Sequence, residues 1–269
     1  MTILPTPHCD SNSTFDIQLA DTLSDVEACI TDICGYPEST GDVQQPCTIA
    51  VDLEGVQLSR KGRVSLVQLK ANHSRVIWLL DITVLGGEAF THPNSEGVTV
   101  KHILESSAYK KLFYDVRRDA DALYNLYAID MSNVLDVQLT ELAVRKSNRL
   151  HSRHLNGLAK SITTYLRPPP HFLATKEAGQ ALMNPKLGLG GSYEVFERRP
   201  LRRELVEYAA QDVALLANLE ATLRWRVGRQ VGGQLTWDMR VRNASMRRVG
   251  ESKGRFDRDG PHRALSPQI

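Results

Sequence analysis

Three short apolar runs between residues 47 and 81 constrain the fold of this chain more than any other feature. Cys47–Leu53 (CTIAVDL), Arg63–Leu69 (RVSLVQL) and Arg75–Asp81 (RVIWLLD) are rich in aliphatic and β-branched residues, and the polar connections between them are too short for a crossover helix. Strands spaced this closely form an antiparallel meander. After residue 85 the pattern changes. Gly86–Glu96 reads as a loop, a helix begins within His102–Ser107, and Lys111–Tyr114 (KLFY) reads as a buried strand. Asp119–Tyr127 is then helical, Val134–Val137 is a strand and Leu139–Lys146 is a helix. Alternating strands and helices pair in parallel through crossover helices. The expected fold class is therefore α/β, a mixed five-stranded sheet in which an antiparallel meander joins parallel βαβ units, flanked by helices.

The flanks read more simply. Residues 1–15 look like a flexible leader, and Thr22–Asp32 a helix capped by Ser24 or Asp25, with Leu23, Val26, Ile30 and Ile33 on one face. Gly35–Pro46 is a polar loop, Leu155–Leu166 a helix stopped by Pro168–Pro170, and Leu201–Arg224 one long helix. Beyond Val249 no apolar periodicity remains, so that end is expected to be disordered. The expected organisation is a leader (1–15), one catalytic-sized domain (16–225) and a basic extension (226–269).

Composition enters through charge. Lys and Arg number 33 against 31 Asp and Glu, a net +2 that excludes a uniformly basic nucleic-acid coat and an acidic solubilising chain. The balance is a cancellation. Arg224–Ile269 holds eleven Lys/Arg and four Asp/Glu, net +7, which leaves 22 basic and 27 acidic residues elsewhere, net −5. The most apolar stretch, Val76–Leu85, is interrupted by Asp81 and falls far short of the roughly 20 residues of a membrane span, so no membrane partner is expected. The N-terminus has no apolar signal core. All four cysteines lie in the first 47 residues without a C-x-x-C pair, which fits thiols of a reducing compartment, cytoplasmic or nuclear, rather than a zinc site.

Carboxylates recur in three places. Asp52 and Glu54, two apart on a strand, project to one face and would repel each other unless a cation lay between them. Asp115, Asp119 and Asp121 surround the junction where a buried strand meets a helix; capping explains one aspartate there, not three. Tyr208 and Asp212 are four apart and share one face of a late helix. Each element alone has a structural explanation: an emerging strand end, a helix cap, an amphipathic helix with an interfacial tyrosine.

In this order the three elements resemble the DEDDy branch of the DEDD 3′–5′ exonucleases, the superfamily of ribonuclease D, the Werner-type exonuclease and polymerase proofreading domains. Val64–Leu69 (VSLVQL), Leu135–Ala143 (LDVQLTELA), Leu155–Leu158 (LNGL) and Arg199–Leu201 (RPL) extend the resemblance over residues 16–225. Within the superfamily, Asp52–Gly55 (DLEG) and Tyr114–Asp119 (YDVRRD) look closest to the Egalitarian-like group. The resemblance implies a ribonuclease H-like fold. It implies that Asp52, Glu54, Asp119 and Asp212 hold two divalent cations, Mg²⁺ or Mn²⁺, that clamp the attacking and leaving oxygens of a phosphoryl displacement. It also implies that Tyr208 orients the attacking water. The expected activity is release of nucleoside 5′-monophosphates from the 3′ end of single-stranded or 3′-ended nucleic acid, RNA favoured over DNA. Arg60, Lys61, Arg63, Arg117, Arg118, Arg202 and Arg203 are the candidates for holding the strand, against a reading of them as solvated turn and helix starts. Gly55 stands where many relatives carry a bulky apolar residue, and its small size would widen substrate choice. The rival reading is a non-catalytic RNA-binding adaptor that keeps the fold, and a third is an endonuclease; retention of all four acids and the tyrosine favours catalysis.

Overall fold

The meander forms as its spacing predicts. In a computed structural model that describes residues 15–35, 47–228, 234–255 and 260–269, β2 (Thr48–Val56) pairs antiparallel with β3 (Arg63–Ala71), and β3 with β4 (Val76–Asp81). Residues 1–14 of the expected leader, Cys9 with them, and 36–46 of the expected loop lie outside the described residues. β5 (Lys110–Phe113) and β6 (Val134–Asp136) extend the sheet in parallel on the other side of β2.

The sheet has six strands, not the expected five. β1 (Asp16–Ala20) lies parallel to β4 at one edge, giving the order β1-β4-β3-β2-β5-β6. An edge strand with one face in solvent needs no continuous apolar run, and DIQLA alternates too briefly to stand out beside the leader.

Helices cover both faces. On one side lie α1 (Leu23–Cys34), two short helices, α2 (Ile82–Leu85) and α3 (Glu88–Thr91), α4 (Val100–Glu105) and α5 (Arg117–Tyr127). Thr22 caps α1 in a reciprocal box with Asp25, so Asp25 is the partner of the cap and not the cap itself. On the other side lie α6 (Val137–Ser147), α7 (Leu158–Tyr165), α8 (Phe172–Met183), α9 (Arg203–Ala214), α10 (Leu216–Gly228) and α11 (Gln234–Gly250).

Two expectations are corrected on this side. The long helix expected over Leu201–Arg224 is two, broken at Leu215. Val213, Ala214, Leu215 and Leu216 are all buried; four successive residues circle a straight helix, so a change of axis is needed to bury them all. α7 starts at Leu158, because residues 155–157 are held extended: Leu155 N–H donates to the Ala264 carbonyl, and the Asn156 carbonyl accepts from Tyr114 Oη at 3.0 Å and Gln138 Nε2 at 3.1 Å. The chain after Val249 is ordered where it is described. It forms short 3₁₀ turns at Glu251–Lys253 and Pro261–Ala264, and Leu265 pairs with His154. Its order comes from contacts with distant residues, which periodicity does not report.

β2 carries the first carboxylates by simple alternation. Ile49, Val51 and Leu53 enter the core under α1 and α5, whereas Ala50 enters the core under α9. Asp52 and Glu54 continue the face of Ala50, so they look toward α9.

Candidate active site

Where β2 leaves the sheet, its pairing with β3 slips by one residue between Glu54 and Gly55. A Cβ on Gly55 would lie 2.0 Å from the Arg63 carbonyl oxygen. The glycine is therefore required by the close approach of two strands at a bulge, a backbone reason for its small size besides the wider substrate choice expected of it.

Three elements bring the acids together. Asp52 and Glu54 come from β2 and Asp212 from the last turn of α9, and one oxygen of each lies within 4.8 Å of the others. α9 is locked in rotation by Leu205, Ala209 and Val213, all buried on the sheet; Tyr208 stands one turn before Asp212 on the neighbouring stripe. Asp119, buried in the first turn of α5, lines the same cleft without belonging to the three-oxygen group. The first turn of a helix favours its negative charge. The cleft is about 610 Å³ and is lined by Asp52, Glu54, Asp119, Tyr208 and Asp212 together, within the range of small-ligand sites.

Electrostatics bear the mark of crowding. Burial, then Asp212, Asp119 and Glu54, push the Asp52 carboxyl well above the usual range, against the pull of Lys176. Glu54 is pushed up to about 8, first by burial and then by Asp212. Asp119 is also pushed up to about 8 by burial, against hydrogen bonds from its own backbone and that of Leu53. Asp212 is raised by burial and held back by Lys176. Burial first, then Asp212, keeps the Tyr208 phenol neutral.

Lys176 was not legible as a site residue. It projects from α8, with Nζ 2.5 Å from Asp212 Oδ2, 3.1 Å from the Tyr208 carbonyl and 3.7 Å from the Tyr208 ring centre. Gly179, one turn on, packs so closely that a Cβ there would lie 2.5 Å from Tyr208 side-chain atoms. A usable signal did exist: Phe172, Lys176, Gly179 and Met183 form one buried stripe, and a lysine with a glycine is out of place on such a stripe.

The turn between β5 and α5 is positioned by Asp136, which the sequence also left without a role. Fully buried, it accepts from the Asp115 amide at 2.9 Å, the Val116 amide at 3.1 Å and Arg248 Nη1 at 2.6 Å. Arg248, on α11, comes from the expected extension. Asp115 has a left-handed backbone (φ 69°), lines the cleft, and faces Arg117 at 2.5 Å and Arg248 at 3.5 Å.

Of the seven basic candidates, Arg117 and Arg118 line the cleft. Arg60 is a brace: its guanidinium bonds Asp121 and the carbonyls of Ser252 and Gly254, tying the β2–β3 turn to α5 and the C-terminal segment. Arg63 pairs with Glu197, Arg202 with Glu204 and Arg203 with Glu207, all exposed, and Lys61 is exposed on the turn. The structure does not bring these five to the cleft lining. Among the described residues no helix is long and apolar enough to cross a membrane. Cys29, Cys34 and Cys47 are free thiols.

A mixed sheet with helices on both faces and a carboxylate cleft at the end of its central strand is the architecture of the ribonuclease H-like nucleases. The structure superposes on Trypanosoma brucei RNase D, crystallised with GMP, at a TM-score of 0.69 (21% identity, 92% of this chain and 67% of that one). It superposes on Escherichia coli RNase D at 0.53 (18% identity, 87% and 51%). Residues 17–227 match the 3′–5′ exonuclease family, and the chain belongs to it. Among curated proteins it is 26% identical to the piRNA biogenesis protein EXD1 of Bombyx mori over 189 residues, 70% of this chain and 53% of that protein. It is also 26% identical to EXD1 of Mus musculus over 67% of this chain and 30% of that protein. The chain thus spans about half the length of the silkworm relative.

Proposed function

We propose that this chain is a DEDDy-type, metal-dependent 3′–5′ exonuclease that shortens RNA from its 3′ end and releases nucleoside 5′-monophosphates. The observation that carries the reading is the meeting of Asp52, Glu54 and Asp212 within 4.8 Å, in one cleft with Asp119 and Tyr208. The donor set fits the implied cations: it is all carboxylate oxygen, as Mg²⁺ or Mn²⁺ requires, and its pKa values are raised first by burial and, for Asp52 and Glu54, then by neighbouring carboxylates, both of which bound cations would offset. When bound, two such cations would supply a hydroxide near neutral pH and stabilise the departing 3′-oxygen. Asp52, Glu54, Asp119 and Asp212 would hold them. Tyr208, neutral and fixed by α8 beneath it, can accept and donate a hydrogen bond and so align the attacking water. Lys176 holds Asp212 and the Tyr208 backbone in place. RNA is favoured because the folds most like this one include T. brucei RNase D in complex with RNA U12, and because the curated relatives are piRNA biogenesis proteins.

A second reading, a non-catalytic RNA-binding adaptor, has one observation in its favour. The Lys176 ammonium already stands against Asp212, supplying part of the positive charge that a cation would bring. The test is a 5′-labelled and a 3′-labelled oligonucleotide, RNA and DNA, with Mg²⁺, Mn²⁺ or EDTA. The exonuclease gives a metal-dependent ladder retreating from the 3′ end, lost in Asp119→Ala. A protein that binds the RNA and never shortens it in either metal is the adaptor.

A further inference from the structure

We propose that Gln68 of β3 is a positioning residue for Asp52: its side-chain amide takes one oxygen of that carboxylate and leaves the other turned toward the divalent cation. This rests on the exonuclease reading above and adds to it a residue from behind the cleft lining.

Alternation along the strand places Gln68. Val67 and Leu69 enter the core under α1 and α5, so Leu66 and Gln68 look toward α9. The pairing of β2 with β3 sets Gln68 directly opposite Asp52, with Leu66 opposite Glu54 and Lys70 opposite Ala50. Directly opposed residues of an antiparallel pair hold their Cβ atoms about 4.5–5.5 Å apart, within reach of a glutamine amide. On its other side Gln68 pairs with Leu79 of β4, buried in the core beneath α9.

Gln68 is completely buried, yet neither its Nε2 nor its Oε1 has a hydrogen-bond partner among the described residues. An amide taken out of water and left unbonded costs free energy, and native cores hold few such groups. The surroundings narrow its use. Of the two residues that oppose Gln68 across the sheet, Asp52 and Leu79, only the aspartate is polar. Lys70, the next residue on the same face, spends its ammonium on the carbonyls of Ala71 and Ser74, at 3.3 and 3.2 Å.

Asp52 is the carboxylate for which such a partner matters. It is one of the three whose oxygens lie within 4.8 Å of one another, and a carboxylate that binds metal is held in place by a hydrogen bond from behind. Asp212 has such support from Lys176. An amide can give Asp52 the same support without adding a charge that competes with the cation. Its NH₂ donates to an ionised carboxylate, and its oxygen accepts from a protonated one.

The test uses the full chain and Mn²⁺, with free Mn²⁺ read by electron paramagnetic resonance and a thermal melt of each variant in EDTA. Gln68→Met keeps the length of the side chain and removes the amide. It is expected to raise the Kd for Mn²⁺ by about 10- to 100-fold, the usual effect of losing a group that holds a metal ligand. It should melt in EDTA no lower than wild type, because an unbonded buried amide has given way to an apolar group. Leu79→Met, a packing change on the other side of Gln68, should leave the Kd unchanged. Once Asp52→Asn is present, Gln68→Met should weaken binding no further, since the amide acts through that carboxylate. An unchanged Kd in Gln68→Met overturns the role and leaves the exonuclease reading standing. So does a Gln68→Met chain that fails to fold or melts lower in EDTA, which would make the amide a structural part of the sheet. Additive losses in the double variant, or an equal loss in Leu79→Met, assign the effect to packing and overturn the role as well. A wild-type chain that binds no Mn²⁺ overturns both.

Discussion

The two walls of the cleft are built by different means. On the carboxylate wall, Asp52, Glu54 and Asp212 are placed by periodicity: alternation along β2 and one helical stripe on α9, each anchored by buried neighbours a residue or two away. On the guanidinium wall, Arg117 and Arg263, and the buried Arg248 outside the lining, are placed by side-chain and backbone bonds that bridge more than a hundred residues, from Asp136 to Arg248 and from Arg117 to Arg263. The first arrangement depends on neighbours within β2 and α9 and on Lys176 of α8. The second exists only when the C-terminal segment has docked. The difference predicts that damage to the first wall removes chemistry and leaves the fold, whereas damage to the second removes fold or binding.

The largest effect tests the first half of that statement. On the proposed reading, Asp52→Asn should lower kcat by at least about 10³-fold, because losing one of the carboxylates proposed to hold the cations would forfeit several kcal/mol of charge stabilisation in the transition state. In the absence of metal the same variant should melt higher than wild type, since burying the Asp52 carboxyl, which must be kept protonated or paired among other acids, is no longer a cost. A variant that loses activity by unfolding would erase the contrast between the walls.

Arg248→Ala tests the second half. It leaves Asp136 buried and charged without its partner, a change that typically costs about 3–5 kcal/mol. Urea denaturation should show a loss of that order, and with it a loosened turn before α5. A loss under about 1 kcal/mol would return α11 to the status of an appendage.

Gly179→Ala sharpens the comparison from inside the first wall. Its Cβ would meet Tyr208 at 2.5 Å, so either the tyrosine or α8 must move. A displacement of about 1 Å near reacting groups can cost on the order of 10²-fold in rate. The expected signature is a reduced kcat with metal affinity retained; full activity would show that Tyr208 need not be held so tightly.

The effect of pH is smaller. Glu54 has an ordinary value of 4.5 and is pushed up to about 8 in the folded chain, and Asp119 likewise reaches about 8. Between those values the folded state holds protons that the unfolded state has released, so stability falls as pH rises. The metal-free protein should therefore melt at progressively lower temperature as pH climbs through that window. Added Mg²⁺ should raise the melt and flatten the dependence, since metal takes the place of the protons. Metal-free melting that rises with pH would mean that the acids are not crowded as the structure shows.

How much could be read beforehand follows the same division. The meander, the alternation of strand and helix, and the positions of Asp52, Glu54, Asp119, Tyr208 and Asp212 were legible because each depends on a local period or a short motif. β1 was missed because an edge strand carries only half a pattern. Lys176 and Gly179 lay in a helix to which no motif drew attention. Asp136, Arg248 and Arg263 were out of reach for a stronger reason: their meaning lies in pairings across the chain, and no local property of an aspartate or arginine announces a distant partner. The turns of the described residues after Val249 were out of reach on the same ground.

Arg203 gives the smallest effect and the finest discrimination. The clustering of Arg198, Arg199, Arg202 and Arg203 before a helix points, on sequence alone, to phosphate binding, because positive charge there opposes the helix dipole. The structure offers a different account. Arg203 pairs with Glu207 one turn along, Arg202 pairs with Glu204, and Arg199 reaches inward to the buried Asp81. The cluster is thus divided between surface pairs, which contribute little in water, and one buried anchor. Arg203→Gln should leave the melting temperature, the RNA affinity and its salt dependence indistinguishable from wild type, measured by anisotropy of a labelled oligouridylate in EDTA over a KCl series. A salt slope flattened by Arg203→Gln would place a phosphate on the outer face of α9, and the strand would then have to run past the catalytic helix and away from the C-terminal wall.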